Sequence, residues 1–76
     1  MMSKEEIQKI ARDFELTVKE RTDKLLEADC EMYTWLGIDS TAEDKKKVKK
    51  TSKFIYQQIK GFNEEVGNSL LDALDD

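Results

Sequence analysis

The residues of this chain whose chemistry stands out most are lysines just past its midpoint. Six of them form a candidate basic patch: Lys45, Lys46, Lys47, Lys49, Lys50 and Lys53. Closely spaced ammonium groups can bind the phosphates of nucleic acid or of lipid headgroups. They can equally pair with carboxylates of a neighbouring helix, here Glu27 and Glu31, and so fix the register between two helices. The patch contains no arginine and the chain has a net charge of −4, so we favour the structural interpretation over nucleic-acid binding.

The remaining polar residues do not indicate catalytic or metal-binding chemistry. The chain has no histidine, which removes the commonest general base and the Glu-x-x-His motif of di-iron bundles. The sequence contains no glycine-rich phosphate loop and no nucleophile turn. Its one cysteine, Cys30, is interpreted as a small apolar member of a helix face. We therefore expect a protein that is not an enzyme and that has no catalytic, cofactor-binding or metal-binding residues.

Length and composition indicate one small domain. With 76 residues, one cysteine and no histidine, the chain can form neither an internal disulfide nor an ordinary zinc site. Its stability must then come from helix packing, self-association or a partner. A single cysteine favours a reducing compartment, and we expect a cytoplasmic protein. No segment resembles a signal peptide or approaches the roughly 20 apolar residues that cross a bilayer, so no membrane partner is expected.

Local signals at the midpoint predict one helix ending and another beginning. Gly37 is typical of the left-handed residue that closes a helix, with Ile38 packing back onto the last turn. Ser40 and Glu43 have the spacing of a capping box, and a similar box at Ser3 begins the first helix. The predicted organisation is a single domain over 1–76, with a helix over about 4–36, a turn over about 37–40 and a helix over about 41–74.

Both predicted helices carry an apolar seam whose members recur four and three positions apart. The first seam comprises Ile7, Ala11, Phe14, Val18, Arg21, Leu25, Ala28, Met32 and Trp35. The second comprises Val48, Ser52, Ile55, Ile59, Phe62, Val66, Ser69 and Ala73. Folding the chain about Ser40 places the two seams opposite each other. The predicted fold is therefore all-α, an antiparallel two-helix hairpin with a coiled-coil-like seam that completes a four-helix bundle by dimerisation.

The one charged member of the first seam is Arg21, and no acidic residue lies three or four positions away from it. One interpretation is that its aliphatic stem packs in the seam while its guanidinium reaches water. The other is a polar layer that specifies the oligomeric state, in which Arg21 bonds to Gln57, Gln58 or a carboxylate of another chain.

Apolar residues outside the seams predict a contact surface. Leu26, Cys30 and Tyr33 lie at spacings of four and three on the first helix, and Phe54 projects from the facing part of the second. Scattered surface hydrophobes are the alternative interpretation, but a surface for a second copy or another protein is favoured. Trp35 either closes the end of the core or is an exposed binding anchor.

The segment from Trp35 to Gly37 also resembles the Trp-x-Gly element of the WXG proteins, a family of small secreted helical hairpins. That resemblance implies a secreted hairpin with a heterodimeric partner. The chain departs from the family pattern in its second helix, because the expected Tyr-x-x-x-acid export signal is replaced by Tyr56 followed by Lys60.

Taken together, these observations predict a small protein-binding module that acts through an apolar face. Regulators, inhibitors and assembly adaptors, including those carried by phages, have this size and charge, and a homodimer is the expected state. A nucleic-acid-binding hairpin dimer that uses the basic patch is the alternative.

Overall fold

The computed structural model describes residues 3–37 and 40–75, and these form four helices and no strand. The helices are α1 (Lys4–Ala11), α2 (Val18–Trp35), α3 (Ala42–Phe62) and α4 (Glu64–Asp75). The all-helical prediction is confirmed, but each of the two long predicted helices is divided in two. Among the described residues, no helix combines the length and the apolar character needed to cross a membrane.

The first division lies between α1 and α2, so the prediction of one helix over 4–36 is wrong. Its start at Lys4 is correct, since the Ser3 hydroxyl accepts a hydrogen bond from the amide of Glu6. A second capping box, however, begins α2: Thr17 accepts from the amide of Glu20, whose carboxylate accepts from the amide of Thr17. The connecting segment 12–17 turns where the side chain of Asp13 accepts from the amide two residues on. The Thr-x-x-Glu spacing was the signal in the sequence for this helix start.

The central connection follows the prediction in place but differs in its caps. The N-cap of α3 is Thr41, paired with Asp44 in a capping box, instead of Ser40 paired with Glu43. Ser40 remains in the turn, where its amide donates to the carbonyl of Gly37. No described residue has a positive φ, so Gly37 does not supply a left-handed cap. The predicted packing of Ile38 lies outside the described residues.

The chain reverses direction at Asn63, so the prediction of one helix over 41–74 is also wrong. The amide of Asn63 closes α3 by donating to the carbonyl of Ile59, and the carbonyl of Asn63 accepts from the amide of Gly67 in α4. After this turn α4 runs back along α3, which brings Leu74 beside Lys50. The two helices approach so closely that a Cβ at Gly67 would lie 2.5 Å from the backbone nitrogen of Lys60.

The core is formed by α1, α2 and α3. Its fully buried side chains are Ile7, Leu25, Val48, Ser52, Ile55 and Ile59. Among the described helices α4 packs against α3 alone, and its apolar side chains are only half-buried: Val66, Leu70, Leu71 and Leu74. The predicted seam holds in the middle of α2 and α3. It fails at Phe14, Val18 and Trp35, which are exposed. Phe14 and Val18 lie at the break between α1 and α2, and Trp35 lies where α2 ends.

The two glycines within helices provide a matched test of this packing. Gly61→Ala should stabilise the protein by about 1 kcal/mol, because a Cβ there meets no atom within 4 Å and alanine favours the helix. Gly67→Ala should instead destabilise it by about 1–3 kcal/mol, because the new methyl group collides with the α3 backbone. Urea denaturation followed by circular dichroism measures both. Equal stabilisation by both substitutions would contradict the close approach of α4 to α3.

Candidate protein-binding surface

The C-terminal end of α2 exposes two aromatic side chains. Tyr33 is 43% exposed and Trp35 is 68% exposed. They are two positions apart on a helix of 3.6 residues per turn, so they project about 200° apart, on opposite flanks of the last turn. Met32 lies on the side of this turn that faces the core, between the two flanks, and its buried side chain fixes the turn against the core. Cys30 is exposed one turn earlier, so this helix end presents apolar groups on both sides.

The predicted contact surface is divided by the structure. Cys30, Tyr33 and Trp35 are exposed, whereas Leu26 and Phe54 are half-buried and pack against the core. Phe54 also lies beneath α1, where the ammonium of Lys4 is 5.5 Å from the centroid of its ring. The short α1 helix causes this difference, because the unbroken first helix that was predicted would have left Phe54 uncovered.

Behind this surface lies a buried polar cluster that joins α2 to α3. Asp29, only 6% exposed, accepts a hydrogen bond of 2.5 Å from the hydroxyl of Ser52 and another of 2.5 Å from the phenol of Tyr56. Each carboxylate oxygen therefore has its own donor. Asp29 was not among the residues that the sequence pattern singled out. The available signal was its spacing of four from Leu25 and three from Met32, which puts it on the core face of α2.

The surroundings of Tyr56 favour its neutral, hydrogen-donating form. The pKa of Tyr56 is raised to about 12, chiefly by burial and next by the hydrogen bond to Asp29. The negative charge of Asp29 and the nearby Tyr33 act in the same direction, while the hydrogen bond with Ser52 opposes it. Tyr56 thus remains a donor across the physiological range, and the cluster is a stable connection between the helices.

Arg21 has hydrogen-bond acceptors that neither interpretation of the sequence named. It is only 8% exposed, and its guanidinium donates from Nε to the carbonyl of Leu16 at 3.2 Å and from Nη1 to the carbonyl of Ala11 at 3.4 Å. The rings of Phe14 and Phe62 flank the guanidinium, with centroids 5.4 and 5.1 Å from its central carbon. The break after α1 supplies these two carbonyls, which are the acceptors for Nε and Nη1.

All six lysines of the candidate basic patch are exposed. Four of its lysines line a shallow cavity of about 340 Å³ together with Leu74: Lys46, Lys49, Lys50 and Lys53. Glu27 and Glu31 line a different cavity, beside Ile10 of α1. The predicted pairing of the patch with these two glutamates is therefore wrong, because the patch faces α4 and the glutamates face α1.

Neither the donor groups nor the comparisons with known proteins assign a chemistry to the chain. Within residues 3–37 and 40–75, no cluster of three or more potential ligands is arranged to hold a metal ion. Comparison with models of known protein families, with curated proteins and with solved structures finds no match to this chain. The function must therefore be argued from the geometry alone.

The buried cluster predicts the effect of removing one hydroxyl. Tyr56→Phe should destabilise the protein by about 1–3 kcal/mol, because it leaves one oxygen of the buried Asp29 carboxylate without a donor. Tyr33→Phe is the matched control and should change the free energy of unfolding by less than about 0.5 kcal/mol, since its side chain is exposed. Equal effects of the two substitutions in urea denaturation would argue against the cluster.

The raised pKa of Tyr56 predicts that the protein loses stability at alkaline pH. The pKa of this side chain is higher in the folded state, about 12, than its ordinary value of 10.0, so its contribution to stability is complete below pH 10.0 and is lost as the pH rises through 12. Tyrosinate absorbance should show one late-titrating tyrosine, which Tyr56→Phe removes and Tyr33→Phe retains. Loss of the late component in Tyr33→Phe would show that the raised pKa belongs to Tyr33 and would contradict the prediction.

Proposed function

We propose that this chain is a non-enzymatic protein-binding module whose contact surface is the C-terminal end of α2. The observation that carries the proposal is the 68% exposure of Trp35, at a helix end that also exposes Tyr33 and Cys30. Tryptophan and tyrosine are the side chains most enriched where binding energy concentrates in protein interfaces. Regulation, inhibition or assembly of the bound protein is the role that such a module would have.

The position of these side chains on α2 supports this proposal. Leu25 and Met32 bury the face of the helix that lies between these two flanks, and Asp29 joins it to α3 through two hydrogen bonds. The backbone beneath Tyr33 and Trp35 is therefore ordered before a partner arrives. An ordered presenting element reduces the conformational entropy lost on binding and so favours affinity.

A second copy of the chain is the partner that we propose first. The half-buried leucines of α4 and the exposed end of α2 both leave apolar surface uncovered, and domains of this size commonly gain stability by association. Two copies that bury these surfaces would form a helical bundle around a two-fold axis. The hairpin of α2 and α3 would be its repeating unit.

Light scattering on a sizing column, over a range of protein and salt concentrations, tests this proposal. Tyr33→Glu and Trp35→Glu should each raise the dimer dissociation constant by at least about tenfold, as expected for a residue that contributes more than 1.4 kcal/mol. Gln57→Glu is the matched control, because it adds the same charge at an exposed position of α3 outside this surface and should leave association unchanged.

Two results would overturn the proposal in separable ways. A monomer at every concentration would exclude the second copy. Binding of another protein would then be tested by cross-linking in cell extract, where the adduct should be lost in Trp35→Glu and kept in Gln57→Glu. Identical behaviour of all three variants in both measurements would exclude the end of α2 as a contact surface.

Nucleic-acid binding by the basic patch is the second candidate function. The convergence of Lys46, Lys49, Lys50 and Lys53 on one shallow cavity favours it. The neighbouring α4 opposes it, because α4 carries acidic and no basic residues and reduces the positive potential of the patch.

Salt dependence distinguishes this candidate from an apolar interface. If the patch binds nucleic acid, affinity should fall steeply with salt, and Lys46→Gln with Lys50→Gln should reduce the log–log slope by about 2. The control is Lys19→Gln with Lys24→Gln, an equal charge change on α2. Fluorescence anisotropy with a labelled duplex measures both, and equal slopes for the two double variants would exclude the patch.

A further inference from the structure

A cavity of about 260 Å³ opens where the first connection meets the end of α3. Its lining includes both arginines of the chain, Arg12 and Arg21, together with Gln58, Gly61 and the rings of Phe14 and Phe62. Largely apolar walls with a few convergent polar groups are typical of a small-ligand site. This cavity takes no part in the proposed function, because Arg21 lies about 21 Å along α2 from Trp35.

Arg21 brings unused hydrogen-bond donors to this cavity. It is more than nine-tenths buried, and its bonds to described residues come from Nε and Nη1 and go to backbone carbonyls. Every fully buried side-chain nitrogen or oxygen of the described residues has a partner. Nη2 has no partner among those residues, so it belongs to the small part of the side chain that remains accessible. Arg21 lines the cavity, and we place this accessible part there.

Two acidic residues near Arg21 in the sequence are engaged by the backbone instead. Asp13 accepts a hydrogen bond from the amide of Glu15, and Glu20 accepts one from the amide of Thr17. Both carboxylates are thus held by backbone amides of the connecting segment 12–17. Arg12, which is exposed, adds a second positive charge at the cavity. The site therefore combines two guanidinium groups with no carboxylate in its lining.

The aromatic side chains define the rest of the ligand. Phe14 is 85% exposed although one side of its ring faces the Arg21 guanidinium, so the ring offers apolar surface at the rim of the cavity. Gly61 has no atom within 4 Å of the place where a Cβ would be, which leaves room beside it. A ligand that fits both features has an anionic head and a flat apolar body.

We propose that this cavity binds a carboxylate carried on a short apolar group, with its oxygens bonded to Nη2 of Arg21 and to Arg12. Guanidinium groups bind carboxylates through two parallel hydrogen bonds, and the apolar part of the ligand packs against Phe14. A free aromatic acid and the C-terminal residue of a polypeptide both have this chemistry. The cavity is large enough for one aromatic ring and its carboxylate.

Nuclear magnetic resonance titration of the ¹⁵N-labelled protein tests the proposal with four probes. Phenylacetate and a tripeptide ending in phenylalanine carry the carboxylate, while phenylacetamide and the amidated tripeptide lack its charge. The acids should shift the resonances of Arg12, Phe14 and Arg21 in a saturable way, and each should bind about tenfold more tightly than its amide, as expected for a charge-assisted hydrogen bond. Binding of the tripeptide alone would identify a polypeptide C-terminus as the ligand, and binding of both acids a site for free acids as well.

Arg12→Gln should weaken binding of the acids by about tenfold while leaving the fold intact, because its side chain is exposed. Lys9→Gln is the matched control, since it removes one positive charge from the last turn of α1, close to Arg12 in the sequence but outside the cavity, and it should change the dissociation constant by less than about twofold. The proposal is overturned if acids and amides bind equally, if Arg12→Gln and Lys9→Gln have the same effect, or if no saturable shift occurs at these residues.

Discussion

The buried guanidinium of Arg21 connects three helices of this small fold, α1, α2 and α3. Arg21 donates to the last turn of α1 and to the connecting segment, projects from the first turns of α2, and packs against a ring at the end of α3. Burying a charge is costly unless its hydrogen bonds are replaced, and carbonyls at a helix end are acceptors without partners of their own. Each therefore satisfies the other. This exchange acts together with the turn at Asp13 and the capping box at Thr17 to separate α1 from α2.

The Asp29 cluster performs the corresponding role between α2 and α3. A buried carboxylate with two hydroxyl donors specifies one register of the two helices, because a shift by a helical turn would separate Asp29 from both Ser52 and Tyr56. The apolar residues around it are Leu25, Met32 and Ile55, which could pack in several registers with similar burial. Hydrophobic burial thus supplies most of the driving force, and the polar contacts select the arrangement.

The breaks in the helices also decide which surfaces remain available for binding. Because α1 is short, Phe14 leaves the predicted seam and becomes the exposed rim of the arginine cavity. Trp35 is left uncovered where α2 ends at the central connection. The reversal at Asn63 also places Leu74 among the lysines of the basic patch. The candidate sites are therefore consequences of chain reversals, whereas the core is a consequence of periodicity.

The sequence by itself determined the helical class, the start of α1 after Ser3, the position of the central connection, and the core face of α2 and α3 from Leu25 to Ile55. These follow from capping chemistry and from a repeat of apolar residues, both of which are local. It also singled out Tyr33, Trp35 and Cys30 as surface candidates, although their exposure was known only from the fold. The tertiary structure alone decided that the chain reverses at Asn63, that Phe54 is covered, and that Arg21 and Asp29 are buried. The physical reason is that burial depends on contacts between separate helices, such as those of Asp29 with Ser52 and Tyr56, and a local pattern of residues does not specify such contacts.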